Sequence, residues 1–151
     1  MKIIVDDLSG KEIENFLNEH IEDMKATSPP ESKHALDINE LRKSEITFWS
    51  VYESGNLIGC GALKHVDDYY GEIKSMRIAL GSRGKGIASQ LLRHILNEAI
   101  DRGYDKVCLE TGSMSFFDPA RRLYTKFGFT ECLPFGEYKE DPNSVFMDKL
   151  L

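Results

Sequence analysis

The chain has 151 residues, 41% of them hydrophobic, and a formal net charge of −6. This length suits one domain, residues 1–151, with a single sizeable core. The acidic balance speaks against general nucleic-acid binding, which wants a basic surface, and no apolar run approaches the ~20 residues of a membrane helix.

Met1–Val5 is apolar apart from Lys2 but runs straight into Asp6 and Asp7, too soon for a secretory signal. Cys60, Cys108 and Cys132 are scattered among apolar residues. They read as reduced core thiols of a cytoplasmic protein. His20, His34, His65 and His94 lack metal-ligand spacing, so no metal site is expected.

Lys2–Asp6 reads as a first strand. Ser9 and Glu12 form a capping-box pattern, with a helix to about Met24 whose apolar side carries Ile13, Phe16, Leu17, His20 and Ile21. His20 is expected buried and hydrogen-bonded. Pro29 and Pro30 break that helix, and Asp37 opens a short second one to about Lys43. Ile46–Glu53, Leu57–His65 and Glu72–Ile78 read as strands of an antiparallel meander.

A long helix, roughly Gly84–Arg102, has two apolar rows: Ile87, Leu91, Ile95 and Ala99, then Ala88, Leu92, Leu96 and Ile100. His94 falls outside both and is expected in solvent. Gly103 ends the helix. Lys106–Thr111 is the next strand, with Val107 and Leu109 alternating against Cys108. Asp118 as N-cap and Pro119 as first residue open a helix to about Lys126. Phe129–Cys132 and Val145–Leu150 close the chain as strands around a turn-rich loop, residues 134–144. The order β-α-α-β-β-β-α-β-α-β-β predicts an α/β fold: a mixed, mostly antiparallel sheet of about seven strands with helices on both faces.

Arg83-Gly84-Lys85-Gly86-Ile87-Ala88-Ser89 stands between a strand and a helix. Backbone amides that open a helix lack intrahelical acceptors and carry partial positive charge, which suits a phosphate. A P-loop would need Lys where Ile87 stands. A dinucleotide fingerprint would need a third glycine where Ser89 stands, in the first βα turn. A plain glycine-softened turn without a ligand stays open on these residues alone.

The Arg-x-x-Gly-x-Ala pattern at Arg83, Gly86 and Ala88 resembles the acetyl-CoA pyrophosphate loop of the GNAT superfamily of N-acetyltransferases. Ala120-Arg121-Arg122-Leu123-Tyr124-Thr125-Lys126-Phe127-Gly128-Phe129 resembles that family's Ala-x-x-Leu-Tyr-x-x-x-Gly-Phe segment, and the element order is that of the GNAT fold. Ser28–Ser32 and Asp141–Met147 resemble segments of small bacterial GNAT proteins of the YsnE-like type. The clear resemblance covers roughly residues 46–132. It departs at Phe117, where the family often carries an Asn that touches the pantetheine arm.

The resemblance implies an acetyl-CoA-dependent N-acetyltransferase, by direct attack of a primary amine in a ternary complex. Glu72 lies where the histone-acetyltransferase branch carries its catalytic glutamate; it is either the general base or a strand-end residue facing solvent. Tyr124 is either the acid that protonates the leaving thiolate or a packed helix residue. Met76 and Ile78 backbone groups would meet the thioester carbonyl and pantetheine, and residues 83–89 the pyrophosphate. Arg121, Arg122 and Lys126 either meet the 3′-phosphate end or form a solvated face.

Glu31, His34 and Tyr138 are the residues offered to the acceptor, a small-molecule or peptide amine. Neither nucleic acid nor membrane is expected as a partner, and the protein is expected as monomer or homodimer. A non-catalytic acetyl-CoA-binding or interaction module is the alternative.

Overall fold

The computed structural model describes residues 1–27 and 38–151, with side chains omitted at 24–27. Its elements are β1 (Lys2–Val5), α1 (Lys11–Thr27), α2 (Ile38–Leu41), β2 (Ile46–Glu53), β3 (Asn56–His65), β4 (Tyr70–Ile78), α3 (Ile87–Asp101), β5 (Lys106–Gly112), α4 (Asp118–Lys126), β6 (Thr130–Glu131) and β7 (Ser144–Leu150). The expected order holds throughout the described residues. The seven strands form one sheet in the order β1-β2-β3-β4-β5-β7-β6. Only β4 and β5 run parallel; every other pair is antiparallel.

Each face of the sheet has its own core. On one face α3 places Leu91, Leu92, Ile95, Leu96 and Ala99 against Trp49, Leu63, Ile73 and Leu109, joined by Tyr124 and Phe129. On the other, Ile13, Phe16 and Leu17 of α1 cover Phe48, Cys60 and Ala62, with Leu8 and Leu41. The two-row reading of α3 fails at its end: Ile100 is 55% exposed, while its neighbour Ala99 in the same turn is buried in the core. His94 is not in solvent; its ring meets Trp49 edge-on at 5.5 Å. Cys108 is buried together with Val107 and Leu109, since β5 lies inside the sheet and both its faces are covered.

Two caps differ from expectation. The Ser9 hydroxyl donates to Asp7 Oδ1 at 2.6 Å, and Glu14 N–H bonds to Gly10 C=O, so α1 begins at Lys11 without the capping box. Phe117, not Asp118, is the N-cap of α4; the Asp118 carboxylate binds Arg121 instead. In both cases a nearby polar side chain takes the group that would have capped the helix. Gly103, at φ +83°, follows α3 as expected.

The middle of β4 is irregular. Gly71–Lys74 pair with His65–Ala62, and Arg77–Ile78 with Cys60–Gly59. Gly61 therefore faces two residues, Ser75 and Met76, which form a β-bulge. Ser75 sits at φ +57°, a left-handed value uncommon outside glycine. A Cβ on Gly61 would lie 2.8 Å from Met76 Sδ and 3.1 Å from Ile95 Cδ1, so glycine is needed under the bulge. Parallel pairing of β4 with β5 stops just before it, at Ile73–Leu109, although both strands continue. Past that point the β5-facing edge of β4 has no strand partner.

Candidate active site

The bulge decides which side chains share a face. Strand residues alternate, so Arg77 would sit opposite Glu72 and Lys74 in a regular strand. One inserted residue restores the phase. The pairs Lys64–Glu72, Ala62–Lys74 and Cys60–Arg77 put all three on the α1 face.

On that face Glu72 is only 4% exposed, so the solvent-facing alternative is overturned. The Tyr138 hydroxyl donates to its Oε2 at 2.6 Å, and Lys74 Nζ donates to the same oxygen at 3.0 Å. Lys74 also donates to the Tyr138 oxygen at 3.0 Å, closing a three-membered ring of contacts. Both bonds to the carboxylate fall on Oε2, which leaves Oε1 to accept from a further donor. Tyr138 is fixed by aromatic contacts with Phe135 and Phe146, and Phe135 also meets Tyr70 edge-on. Burial first, then the Glu72 carboxylate, push the Tyr138 phenol far above its ordinary pKa, so it stays a donor.

The expected phosphate loop follows the bulge. A 3-10 turn, Leu80–Ser82, leads to Arg83, whose Nε donates to Ile78 C=O at 3.0 Å and fixes the end of β4. Gly84 and Gly86 adopt φ of +78° and +79°, and Gly86 is the N-cap of α3 with no side-chain cap bond. Nothing lies within 4 Å of a Cβ built on either glycine. The amides of Ile87, Ala88 and Ser89 precede the first i−4 acceptor of the helix, and Arg83 and Lys85 are exposed beside them. Such a loop fits a pyrophosphate: exposed, cationic, and open to close backbone approach.

Tyr124 is 6% exposed, meets Phe129 edge-on, and has its pKa raised by burial alone. It belongs to the α3-side core, whereas Glu72 faces α1. The split between β4 and β5 is where a paired sheet no longer separates those two faces. Met76 and Ile78 lie on the β4 side of that split. Phe117 lies against Gly112 at the end of β5 and stacks edge-on with Phe116. Arg121 is half-buried and binds the Gly112 and Met114 carbonyls and Asp118, so it ties β5 to α4 rather than forming a solvated face. Glu31 and His34 lie outside the described residues.

Sequence reasoning missed Lys74, Arg77 and Asp23. Glu72 and Lys74 two residues apart on a strand was a visible signal. Arg77 was hidden, because alternation assigns it to the wrong face unless the bulge is known. Its Nη1 donates to Asp23 Oδ2 of α1 at 2.5 Å. Among the described residues no helix is long and apolar enough to cross a membrane, and no group of His, Cys, Asp and Glu could hold a metal ion.

A β-bulge next to a split between parallel strands, followed by a phosphate-type helix start, defines an acyl-CoA N-acyltransferase fold. The Acetyltransferase (GNAT) family profile matches residues 13–129, and the chain belongs to that family of acetyltransferases. It is 55% identical to the uncharacterized N-acetyltransferase YsnE of Bacillus subtilis over 151 residues, all of both chains. It is 46% identical to the uncharacterized N-acetyltransferase YedL of Escherichia coli over 99% of this chain and 94% of that one. A Klebsiella pneumoniae protein described as a putative acyl-CoA N-acyltransferase superposes with a TM-score of 0.84 at 26% identity, covering 99% of this chain and 97% of that one. A GNAT acetyltransferase from Elizabethkingia anophelis, solved with acetyl-CoA bound, shares the fold at a TM-score of 0.70 and 21% identity, covering 99% and 97%.

Proposed function

We propose that this enzyme moves the acetyl group of acetyl-CoA to a primary amine of a small molecule or peptide, by direct attack while both substrates are bound. The observation that carries this reading is a buried carboxylate, Glu72, three residues before the bulge where β4 leaves β5.

The pyrophosphate lies on the amides of residues 86–89, with Arg83 and Lys85 beside it. Pantetheine runs along the unpaired edge of β4 at Met76 and Ile78, in the manner of an added strand. An N–H near the bulge donates to the thioester oxygen, where negative charge develops. The amine nitrogen attacks the carbonyl carbon, the C–S bond breaks, and the amine's proton leaves towards Glu72. Tyr124 supplies a proton to the departing sulfur.

Glu72 acts at a distance. On a regular strand it would lie roughly 13 Å from Met76. The bulge shortens this: Glu72 faces Lys64 and Met76 faces Gly61, three residues apart on β3, or roughly 10 Å. A water therefore relays the proton, and Oε1 is the atom that receives it.

A non-catalytic binding module has no use for a buried carboxylate clamped by Tyr138 and Lys74, which favours catalysis. The test is release of free CoA from acetyl-CoA across a panel of amines. Amine-dependent release is expected; acetyl-CoA binding with no release on any amine overturns the reading.

A further inference from the structure

We infer that the α1 side of β4 holds a carboxylate-binding subsite, so that the acceptor is an amine that also carries a carboxylate, as an amino acid does. This rests on the acetyl-transfer reading for its place beside the reacting amine. It is carried by Arg77.

Arg77 is 9% exposed and its guanidinium lies over the Phe16 ring. Its Nη1 is occupied by Asp23. Its Nε is fully buried and has no hydrogen-bond partner, the one buried side-chain polar atom so placed among the described residues. Nε–H and the neighbouring Nη2–H point the same way and form one edge of the planar group. That edge matches the two oxygens of a carboxylate. Leaving a buried charged donor unpaired is costly, and a structural Arg–Asp pin between α1 and β4 would need only the Nη1 side.

Two further features point the same way. Lys74 projects from the same face; its β3 partner lies two residues from that of Arg77, or roughly 7 Å along the sheet. A Lys ammonium has three donors, of which Glu72 and Tyr138 take two. His20 on α1 is held neutral, its pKa lowered to about 4 by burial first and then by Arg77. The face therefore holds two cations, Arg77 and Lys74, each paired with a carboxylate on one side and with donors left over on another. A carboxylate on Arg77 and an amine near the bulge are the two ends of one small zwitterion, and Glu72 deprotonates the ammonium end.

Two measurements test this. In the first, CoA release is followed with the common amino acids and with their matching carboxamides, for wild type and Arg77→Lys. The substitution keeps a cation for Asp23 and removes the Nε–Nη2 fork. Wild type is expected to favour the acid over its amide by about ten-fold or more in kcat/KM, the worth of a charge-assisted pair. Arg77→Lys is expected to collapse that ratio towards one, chiefly through KM. Equal use of acids and amides by wild type, or an unchanged ratio in the variant, overturns the subsite.

In the second, the Arg77 Nε–H resonance is followed while N-acetyl amino acids, or their amides, are added to wild-type protein. A downfield shift with the acids alone supports the subsite, and no shift at saturating concentrations overturns it. This measurement needs no turnover. If no amine releases CoA, the acetyl-transfer reading falls while the resonance still decides the subsite.

Discussion

The two halves of the site are built in different ways. The proposed phosphate loop consists of consecutive residues, Arg83–Ser89, and offers mainly backbone groups. The cluster on the α1 face is made by side chains far apart in sequence: Glu72 with Tyr138, 66 residues on, and Arg77 with Asp23, 54 residues back. Backbone recognition of a phosphate requires only glycines and a helix start, which any short stretch can supply. Recognition of a particular acceptor requires polar groups held at fixed distances in a dry place, which only the finished fold supplies. The first half is generic to the donor. The second half is where selectivity for an acceptor can be built.

Substitutions in the two halves should therefore fail differently. The largest effect is expected from Glu72→Gln, which keeps shape and removes the proposed base. Turnover should fall ~100-fold or more, with acetyl-CoA affinity little changed. The deficit should be greatest at low pH, where little of the amine is already deprotonated, and should shrink as pH approaches the amine's own pKa. A pH–rate profile that follows wild type throughout would end the assignment.

Gly86→Asp should do the converse. It forces an L-residue to φ +79°, at a cost of roughly 1–2 kcal/mol, and sets a negative charge against the pyrophosphate. Calorimetry should show acetyl-CoA affinity lowered ten-fold or more. Wild-type affinity in a folded variant would move the donor site elsewhere.

Tyr124→Phe should lower turnover, with chemistry rate-limiting, and leave acetyl-CoA binding and melting temperature near wild type. Unchanged turnover would assign Tyr124 to packing. Tyr138→Phe should cost less, roughly ten-fold in turnover, because Lys74 still holds the carboxylate after one hydrogen bond is lost. The acidic limb of its pH–rate profile should also move, which a purely structural tyrosine would not produce.

The smallest effect concerns His20. Its folded pKa of about 4 lies below the ordinary 6.5. Between those values the unfolded chain holds a proton that the folded chain refuses, so stability falls as pH drops from about 6.5 to 4 and is unaffected above. His20→Gln should flatten that part of the stability curve, recovering on the order of 3 kcal/mol near pH 4. Denaturant titrations at pH 7 and pH 4 would show it; identical slopes in both proteins would place His20 in ordinary solvent.

The same contrast decides what the sequence makes legible. The strand and helix order, the glycine loop and the two-faced sheet all follow from local signals: periodicity, caps and turn residues. Glu72 and Tyr138 could each be singled out, one as base and one as acceptor contact. Their hydrogen bond could not be foreseen, because it joins two segments only after β4, β5 and β7 have paired. The bulge was illegible as well. Ser75 carries no mark of a left-handed backbone, yet the inserted residue decides that Arg77 faces α1. Cap residues show the same limit on a smaller scale: Ser9 and Asp118 stand close to helix starts, but neither caps its helix, because Asp7 and Arg121 took their side chains.

The bulge has one more neighbour. The Cys60 thiol lies beneath it and donates to Ser75 C=O at 3.2 Å. Burial pushes Cys60 and Cys108 up to about 12 and Cys132 up to about 11. At neutral pH no more than about one such group in ten thousand is a thiolate, and only the thiolate attacks a thioester. In an acetyltransferase, burial thus keeps the chain's three thiols in their less nucleophilic form. Held as thiols, they are poor competitors with the acceptor for an acetyl group.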